Sequence, residues 1–164
     1  MNRAKSDERD PNVITKMYGA NAIPITIALA EYHLNHMRRL YKAFGGDLLL
    51  PMILGEVGHV NLRGVNVLAA DIPKNLEAIR VLAASRKECN AYSISLALGL
   101  PRETVRRKVA KLIDLGFLQH IDRRSLRITD KAILEFVPEF NLESLRLFLA
   151  TSDRITGILA QSKS

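Results

Sequence analysis

The sequence contains only one cysteine, Cys89, among 164 residues. A single cysteine cannot form an internal disulfide or a cysteine-rich zinc module, and it agrees with a reducing compartment. No apolar run reaches the length that a membrane-spanning helix needs, because residues 22–30 end at Glu31 and Pro51 interrupts residues 48–55. The sequence therefore predicts a cytoplasmic protein without membrane contact.

The sequence also lacks the motifs of the common enzyme classes. It has no glycine-rich phosphate loop after a strand, no nucleophile elbow and no paired carboxylates in a recognisable setting. His33 and His36 have a spacing that suits a metal ion on one helical face, but His59 and His120 lie on distant segments. We therefore expect no enzyme activity, no cofactor and no metal site.

Positive charge is concentrated in one part of the chain. Lys and Arg number 24 against 17 Asp and Glu, which gives a net charge of +7. Residues 85–131 alone hold eleven basic and five acidic residues, so this segment supplies +6 of the excess. A local excess of this kind favours an anionic partner.

Helical patterns flank this basic segment on both sides. Residues 1–20 are expected to form a flexible tail. Residues 21–84 are expected to form an N-terminal helical region and residues 132–164 the C-terminal helices, both serving dimerisation or a core. The first long helix is predicted over residues 25–44, with one buried stripe formed by Leu29, Leu34, Met37, Leu40, Tyr41 and Phe44. Asp47 is the expected N-cap of a second helix.

The strongest local signals lie between residues 90 and 116. Asn90 is a typical helix cap, Gly99 a typical left-handed stop, and Pro101 a typical start for the next helix. That second helix is predicted to run to Leu115, with Gly116 ending it. Two β-prone runs, residues 117–121 and 126–128, then predict a small hairpin with a charged tip.

Two helices at a short elbow followed by a hairpin predict a nucleic-acid-binding surface. With an inner apolar stripe of Val105, Val109 and Leu112, the other side of the second helix is free to enter the DNA major groove. Arginine binds guanine edges or phosphates, and threonine donates to phosphates. The candidate DNA-binding residues are Arg102, Glu103, Thr104, Arg106, Arg107 and Lys111 on this helix, and Arg123, Arg124 and Arg127 on the hairpin.

The string LPRETVRRKVAKLIDLGFL (residues 100–118), preceded by YSISLALG, resembles the winged helix-turn-helix of bacterial transcription regulators, especially the MarR, GntR and IclR types. The resemblance spans about 45 residues; Pro101 departs from it, since a serine often caps that helix. It implies a mainly α fold with a hairpin wing. It also implies a homodimeric, sequence-specific regulator on the bacterial nucleoid, with recognition helix 101–115 in the major groove of double-stranded DNA. The wing, residues 117–129, would lie on the backbone or in the minor groove.

Several alternatives remain open at this stage. One alternative is a winged helix that serves as a protein–protein interaction module without specific DNA binding, because a fold alone does not fix a function. For the flanking helices, the alternatives to a dimer interface are packing into one intramolecular core and enclosure of a small-molecule effector between subunits. Cys89 is a redox switch if Arg86 and Lys87 stabilise its thiolate, and otherwise a packed or exposed thiol.

Overall fold

The fold is mainly helical and contains one small antiparallel sheet. The computed structural model describes residues 11–64, 71–84, 89–123 and 125–161. Among the helices described, none combines the length and the apolarity that crossing a membrane requires. The expected mainly α class with a β-hairpin is confirmed. The elements are α1 (Pro11–Ala20), α2 (Ala22–Ala43), α3 (Leu49–Leu62), a 3-10 turn (Pro73–Asn75), α4 (Leu76–Ala84), α5 (Ala91–Leu98), α6 (Arg102–Asp114), β1 (Leu118–His120), β2 (Leu126–Ile128), α7 (Asp130–Glu135), a π-helical turn (Phe136–Phe140) and α8 (Asn141–Gln161).

The chain divides into two compact units. Unit 1 takes its described residues from positions 11–39 and 143–161, so it is built from α1, most of α2 and most of α8. Unit 2 extends from Leu40 to Leu142 and contains the remaining helices and the sheet. The basic segment of the sequence therefore belongs to unit 2.

Local signals set the elbow between α5 and α6. The Asn90 side chain accepts hydrogen bonds from the backbone N–H groups of Tyr92 (3.0 Å) and Ser93 (2.9 Å). The Ser93 hydroxyl in turn accepts one from the Asn90 N–H at 3.1 Å, which completes a capping box. Gly99 ends α5 at φ 63°, a left-handed conformation that glycine adopts without a Cβ clash. The predicted cap and stop are both confirmed.

The inner face of α6 attaches this helix to the core of unit 2. Val105, Val109 and Leu112 are buried at spacings of four and three residues, as an amphipathic helix requires. Because this face is held inside, the opposite face of α6 is presented to solvent. The three residues belong to one buried apolar cluster, whose other members are Phe44, Leu50, Ile53, Leu54, Val57, Cys89, Ile94, Phe117, Leu118, Leu126 and Ala132.

Helix α3 supports the hairpin through a buried amide. Strands β1 and β2 pair antiparallel, with Leu118 opposite Ile128. The Ile128 N–H donates to the side-chain oxygen of Asn61 at 2.9 Å, and Asn61 is only 2% exposed. The amide therefore satisfies a backbone donor that would otherwise be buried without a partner.

Replacing Asn61 by leucine should lower the free energy of unfolding by about 1–3 kcal/mol, because the Ile128 N–H would lose its acceptor. Urea denaturation followed by far-UV circular dichroism measures the change. The control is Gln119→Leu at an exposed position of β1, which should change stability by less than about 0.5 kcal/mol. An Asn61→Leu protein as stable as the unmodified chain would contradict this role.

In unit 1, one face of α2 packs against α8. The rings of Tyr32 and Phe148 meet edge to face with centroids 6.0 Å apart. Arg39 Nη1 donates to Ser144 Oγ at 3.0 Å. The buried residues of α2 are Ile25 and Ala28, whereas none of the 21 residues of α8 is buried. Helix α8 thus contributes to unit 1 without any fully enclosed side chain.

The structure differs from two expectations in this part of the chain. Residues 11–20 form α1, where the sequence predicts part of a flexible tail, and residues 1–10 lie outside the described residues. The predicted single buried stripe of α2 is wrong, because Leu34, Met37 and Tyr41 are 52%, 44% and 56% exposed. Apolar periodicity identifies a stripe but does not show whether the same chain covers it.

Candidate nucleic-acid interface

An open groove of about 720 Å³ lies in unit 2 between the start of α5, one side of α6 and the hairpin. Buried apolar side chains such as Val109 and Leu126 form part of its surface. The polar and basic side chains of the lining are Asn90, Tyr92, Arg102, Arg106, His120 and Arg123, and no Asp or Glu belongs to this lining as far as the structure describes it. The lining residues are Asn90, Ala91, Tyr92, Arg102, Arg106, Val109, Ala110, Ile113, His120, Arg123 and Leu126.

Three of the predicted DNA-binding residues come together in this groove. Arg102 and Arg106 are one turn apart on α6, and Arg123 comes from the loop of the hairpin. All three side chains belong to exposed residues. Guanidinium groups bind phosphates and guanine edges through paired hydrogen bonds, so a groove with three of them suits a polyanion.

An exposed tyrosine orients the first of these arginines. The Arg102 guanidinium carbon lies 5.7 Å from the centroid of the Tyr92 ring, which is a cation–π distance. Tyr92 is in the first turn of α5 and is 55% exposed. The contact restricts Arg102 at the mouth of the groove while leaving its hydrogen-bond donors available to a ligand.

Arg106 has an ion-pair partner that is easily replaced. Its Nη1 lies 2.7 Å from Glu103 Oε2, one turn earlier on α6. The two side chains are 63% and 78% exposed, and pairs this exposed contribute little to stability. Arg106 can therefore exchange Glu103 for a phosphate at small cost.

The outer face of α6 carries the other predicted helix residues. Arg107 is exposed on the side opposite the buried stripe, and Thr104 is half-buried. Pro101 occupies the N-cap position of the helix and makes no side-chain cap. The N–H groups of the first turn therefore have no hydrogen bond from a capping side chain. This end of α6 thus combines exposed cations with the positive end of a helix dipole.

A charged anchor holds α6 from its other side. Lys108 Nζ lies 2.5 Å from Asp47 Oδ2, and both side chains are 17% exposed. Burial by itself raises the pKa of Asp47. The hydrogen bond and charge of Lys108, the charge of Lys111 and a hydrogen bond from the Leu49 N–H outweigh burial, so that the pKa of Asp47 is lowered overall. The N-cap position of α3 is assigned to Leu48, one residue after the expected Asp47. The Asp47 carboxylate nevertheless accepts a hydrogen bond from the Leu49 N–H at the start of α3, in addition to binding α6.

Lys108→Met should lower the free energy of unfolding by about 1–3 kcal/mol, because Asp47 would keep a largely buried charge without its main partner. Lys111→Met is the matched control: its Nζ is 3.7 Å from the same oxygen and its side chain is 53% exposed. The control should cost less than about 1 kcal/mol. Equal losses in urea denaturation would contradict the anchor.

The same anchor predicts a pH dependence. Because the folded pKa of Asp47 is lowered, its contribution to stability is present above the unfolded value and disappears as the pH falls through the folded one. The stability difference between the unmodified chain and Lys108→Met should therefore shrink below about pH 4.

Hydrogen bonds between Asp122 and Ser125 close the hairpin. Asp122 accepts hydrogen bonds from the backbone N–H of Ser125 at 2.7 Å and from its hydroxyl at 2.9 Å. This turn leaves Arg123 exposed beside the groove, while Arg124 lies outside the described residues.

Five of the predicted residues do not belong to the groove lining: Glu103, Thr104, Arg107, Lys111 and Arg127. Arg127 on β2 is half-buried, and its Nε is buried without a hydrogen-bond partner among the described residues. A side-chain hydrogen bond from Arg80, together with the charges of Arg80 and Arg127, lowers the pKa of Asp130 at the start of α7. Lys111 faces Asp47. The structure thus brings together only part of the predicted set.

Sequence reasoning missed two groove residues, Tyr92 and His120. Tyr92 follows a helix cap, and its exposure next to Arg102 depends on the angle between α5 and α6. His120 ends β1 and reaches the groove because the hairpin folds back beside α6. An aromatic residue two positions after a capping asparagine was the available signal for Tyr92, but no local pattern indicates His120.

The histidine pair lies in unit 1. Tyr32 contacts both rings, with centroid distances of 5.4 Å to His33 and 6.1 Å to His36. Burial, then the charges of Arg39 and His33, lower the pKa of His36. Within the described ranges, no three His, Cys, Asp or Glu side chains are grouped to hold a metal ion.

Cys89 is buried, at 3% exposure, directly before α5. Burial and the nearby charge of Glu56 raise its pKa to about 11, despite a hydrogen bond with Ser93. Arg86 and Lys87, the expected stabilisers of a thiolate, lie outside the described residues. These surroundings favour the protonated thiol and so disfavour a redox switch.

Iodoacetamide should therefore alkylate Cys89 of the folded chain at pH 8 at least about 100-fold more slowly than in urea, since a pKa near 11 leaves little thiolate. Mass spectrometry of timed samples gives both rates. Equal rates would show an accessible thiolate and support the redox switch.

Comparison with known proteins identifies no relative that carries this groove. No protein-family model matches the chain, and neither a curated protein nor a solved structure is significantly similar to it. The functional argument therefore rests on the residues of the groove.

Proposed function

We propose that this chain is a sequence-specific DNA-binding regulator of transcription, of the winged helix-turn-helix type. In this proposal α5, residues 99–101 and α6 form the helix-turn-helix, and the hairpin forms the wing. The observation that carries it is the position of Arg102, Arg106 and Arg123 around one open groove between α6 and the hairpin.

Helix α6 reads the major groove in this proposal. Its inner face is fixed by Val105, Val109 and Leu112, so a duplex can approach only the outer side. Arg107 on that side is exposed and reaches base edges, while Arg102 and Arg106 lie nearer the hairpin and meet phosphates.

The hairpin supplies a second contact with the DNA backbone. Arg123 is exposed at the loop that Asp122 and Ser125 close. A phosphate strand that enters the groove would be bound from α6 on one side and from Arg123 on the other. Such contacts fix the orientation of the recognition helix without reading sequence.

Arg106→Ala should weaken binding to a short duplex and lower the slope of log K against log salt by about one, if Arg106 binds a phosphate. Arg102→Ala should act similarly. If either residue reads a base, specific binding should instead fall by about 1–3 kcal/mol. Fluorescence anisotropy at several salt concentrations separates the two cases.

Arg146→Ala is the matched control for Arg106→Ala. Arg146 also pairs with a glutamate three positions earlier, Glu143, and is 68% exposed, but it lies on α8. It should leave both affinity and salt slope unchanged. The DNA-binding proposal fails if the Arg102 and Arg106 variants bind like the control.

The alternative, a protein–protein interaction module, makes the opposite prediction. Such a module would depend on exposed apolar residues such as Leu96 on α5, which is 65% exposed. It would tolerate loss of the groove arginines. Enrichment of a common sequence from fragmented genomic DNA by the purified chain, retained by Leu96→Ala and lost with Arg106→Ala, would support the regulator.

A further inference from the structure

The groove beside α6 has an apolar part that a paired duplex does not use. Five of its eleven lining residues, which we call the apolar floor, are Ala91, Val109, Ala110, Ile113 and Leu126. In a fully paired duplex the bases face one another inside the helix, so a backbone that enters the groove presents phosphates and sugars to the protein. Phosphates account for the arginines of the groove but leave the apolar floor without a role.

The groove also presents aromatic rings to solvent. Tyr92 is 55% exposed, and the Arg102 guanidinium carbon lies 5.7 Å from the centroid of its ring. Exposed aromatic side chains beside cations are typical of surfaces on which unpaired nucleobases stack, because every base has a flat face of the same kind. His120 adds a second exposed ring from the hairpin.

The charges of the lining favour an anion. Arg102, Arg106 and Arg123 line the groove, and the lining includes no Asp or Glu among the residues that the structure describes. Glu103, the ion-pair partner of Arg106, is 78% exposed and does not belong to the lining. The groove thus combines three cations with the apolar floor, which suits a ligand whose flat, apolar part is joined to a phosphate.

The size of the groove suits such a ligand. Its volume of about 720 Å³ lies within the range of about 300–1,000 Å³ that is typical of pockets for small ligands. A single nucleotide belongs to this class of ligand. Because the groove is open, the remaining nucleotides of a strand can continue beyond it.

We propose that the groove binds a nucleotide with an unpaired base, as a single strand of DNA presents it. The base packs against Tyr92 and the apolar floor, and the phosphates bind Arg102, Arg106 and Arg123. This inference extends the proposed function to a second form of DNA, and it rests on that function in assigning the groove arginines to phosphates. A free nucleotide carries the same two chemical groups, so it is a separate probe in the test.

Fluorescence anisotropy of the full chain with two labelled strands of about ten nucleotides, a length typical of one binding site, tests the contact with the base. One strand is oligothymidine, and the other carries abasic sugars on the same phosphate backbone. The two strands therefore differ in their bases but not in their charge. The strand with bases should bind at least about 5-fold more tightly, because bases stack on aromatic side chains. Equal affinities would overturn the proposal.

Substitutions of Tyr92 test the position of the base, after circular dichroism has established that each variant is folded. Tyr92→Ala should remove most of the preference for the strand with bases, whereas Tyr92→Phe, which keeps an aromatic ring, should retain it. The matched control is Tyr41→Ala, because Tyr41 is 56% exposed and lies on α2 outside the groove lining. A Tyr92→Ala protein with the preference of the Tyr41→Ala control also overturns the proposal.

A fully paired duplex, measured alongside, separates this inference from the proposed function. If the duplex binds and the two strands bind equally, the proposed function stands and this inference fails. If the duplex does not bind but the strand with bases is preferred, the inference stands and the proposed function fails.

Thymidine monophosphate, added as a competitor, distinguishes a strand from a free nucleotide as the source of the ligand. It should displace the strand only at millimolar concentrations, because one nucleotide has fewer phosphates for the three arginines. Displacement at micromolar concentrations would support the nucleotide site and assign it to the free nucleotide.

Discussion

Burial of one face of α6 is the constraint on which the described arrangement of unit 2 depends. Val105, Val109 and Leu112 hold the helix against α3, α5 and the sheet, and the Lys108–Asp47 pair fixes it from a second direction. With two sides occupied, the helix can present only its remaining surface to a ligand. The groove is therefore a consequence of core packing: Arg102 and Arg106 lie on a helix that is fixed to the core, and Arg123 comes from the hairpin loop.

The two units carry different kinds of surface. Unit 2 has a closed apolar core and an open basic groove, which suits an anionic partner. Unit 1 buries few side chains completely and exposes many large apolar ones, which suits association with another protein surface. The proposed recognition of DNA follows this division and belongs to unit 2.

The sequence predicts the elements of unit 2 well because their signals are local. Asn90, Gly99 and Gly116 each act on the turn in which they lie, and the structure has the cap and the left-handed glycines where they are expected. Features that depend on tertiary arrangement were missed. The Asp47–Lys108 pair joins positions 61 residues apart, and Tyr92 and His120 enter the groove only because three elements converge. The exposed stripe of α2 was mistaken for a buried one because periodicity is the same in both cases.

An NMR titration of the isotope-labelled chain with a short random-sequence duplex tests the central claim most directly. The account predicts that backbone and arginine side-chain signals shift at Tyr92, Arg102, Arg106, His120 and Arg123, and that raising the salt concentration reverses the shifts. Signals from α8, including Arg146, should stay in place. The absence of shifts at saturating DNA, or shifts confined to residues outside the groove, would contradict the assignment of this surface as the DNA-binding site.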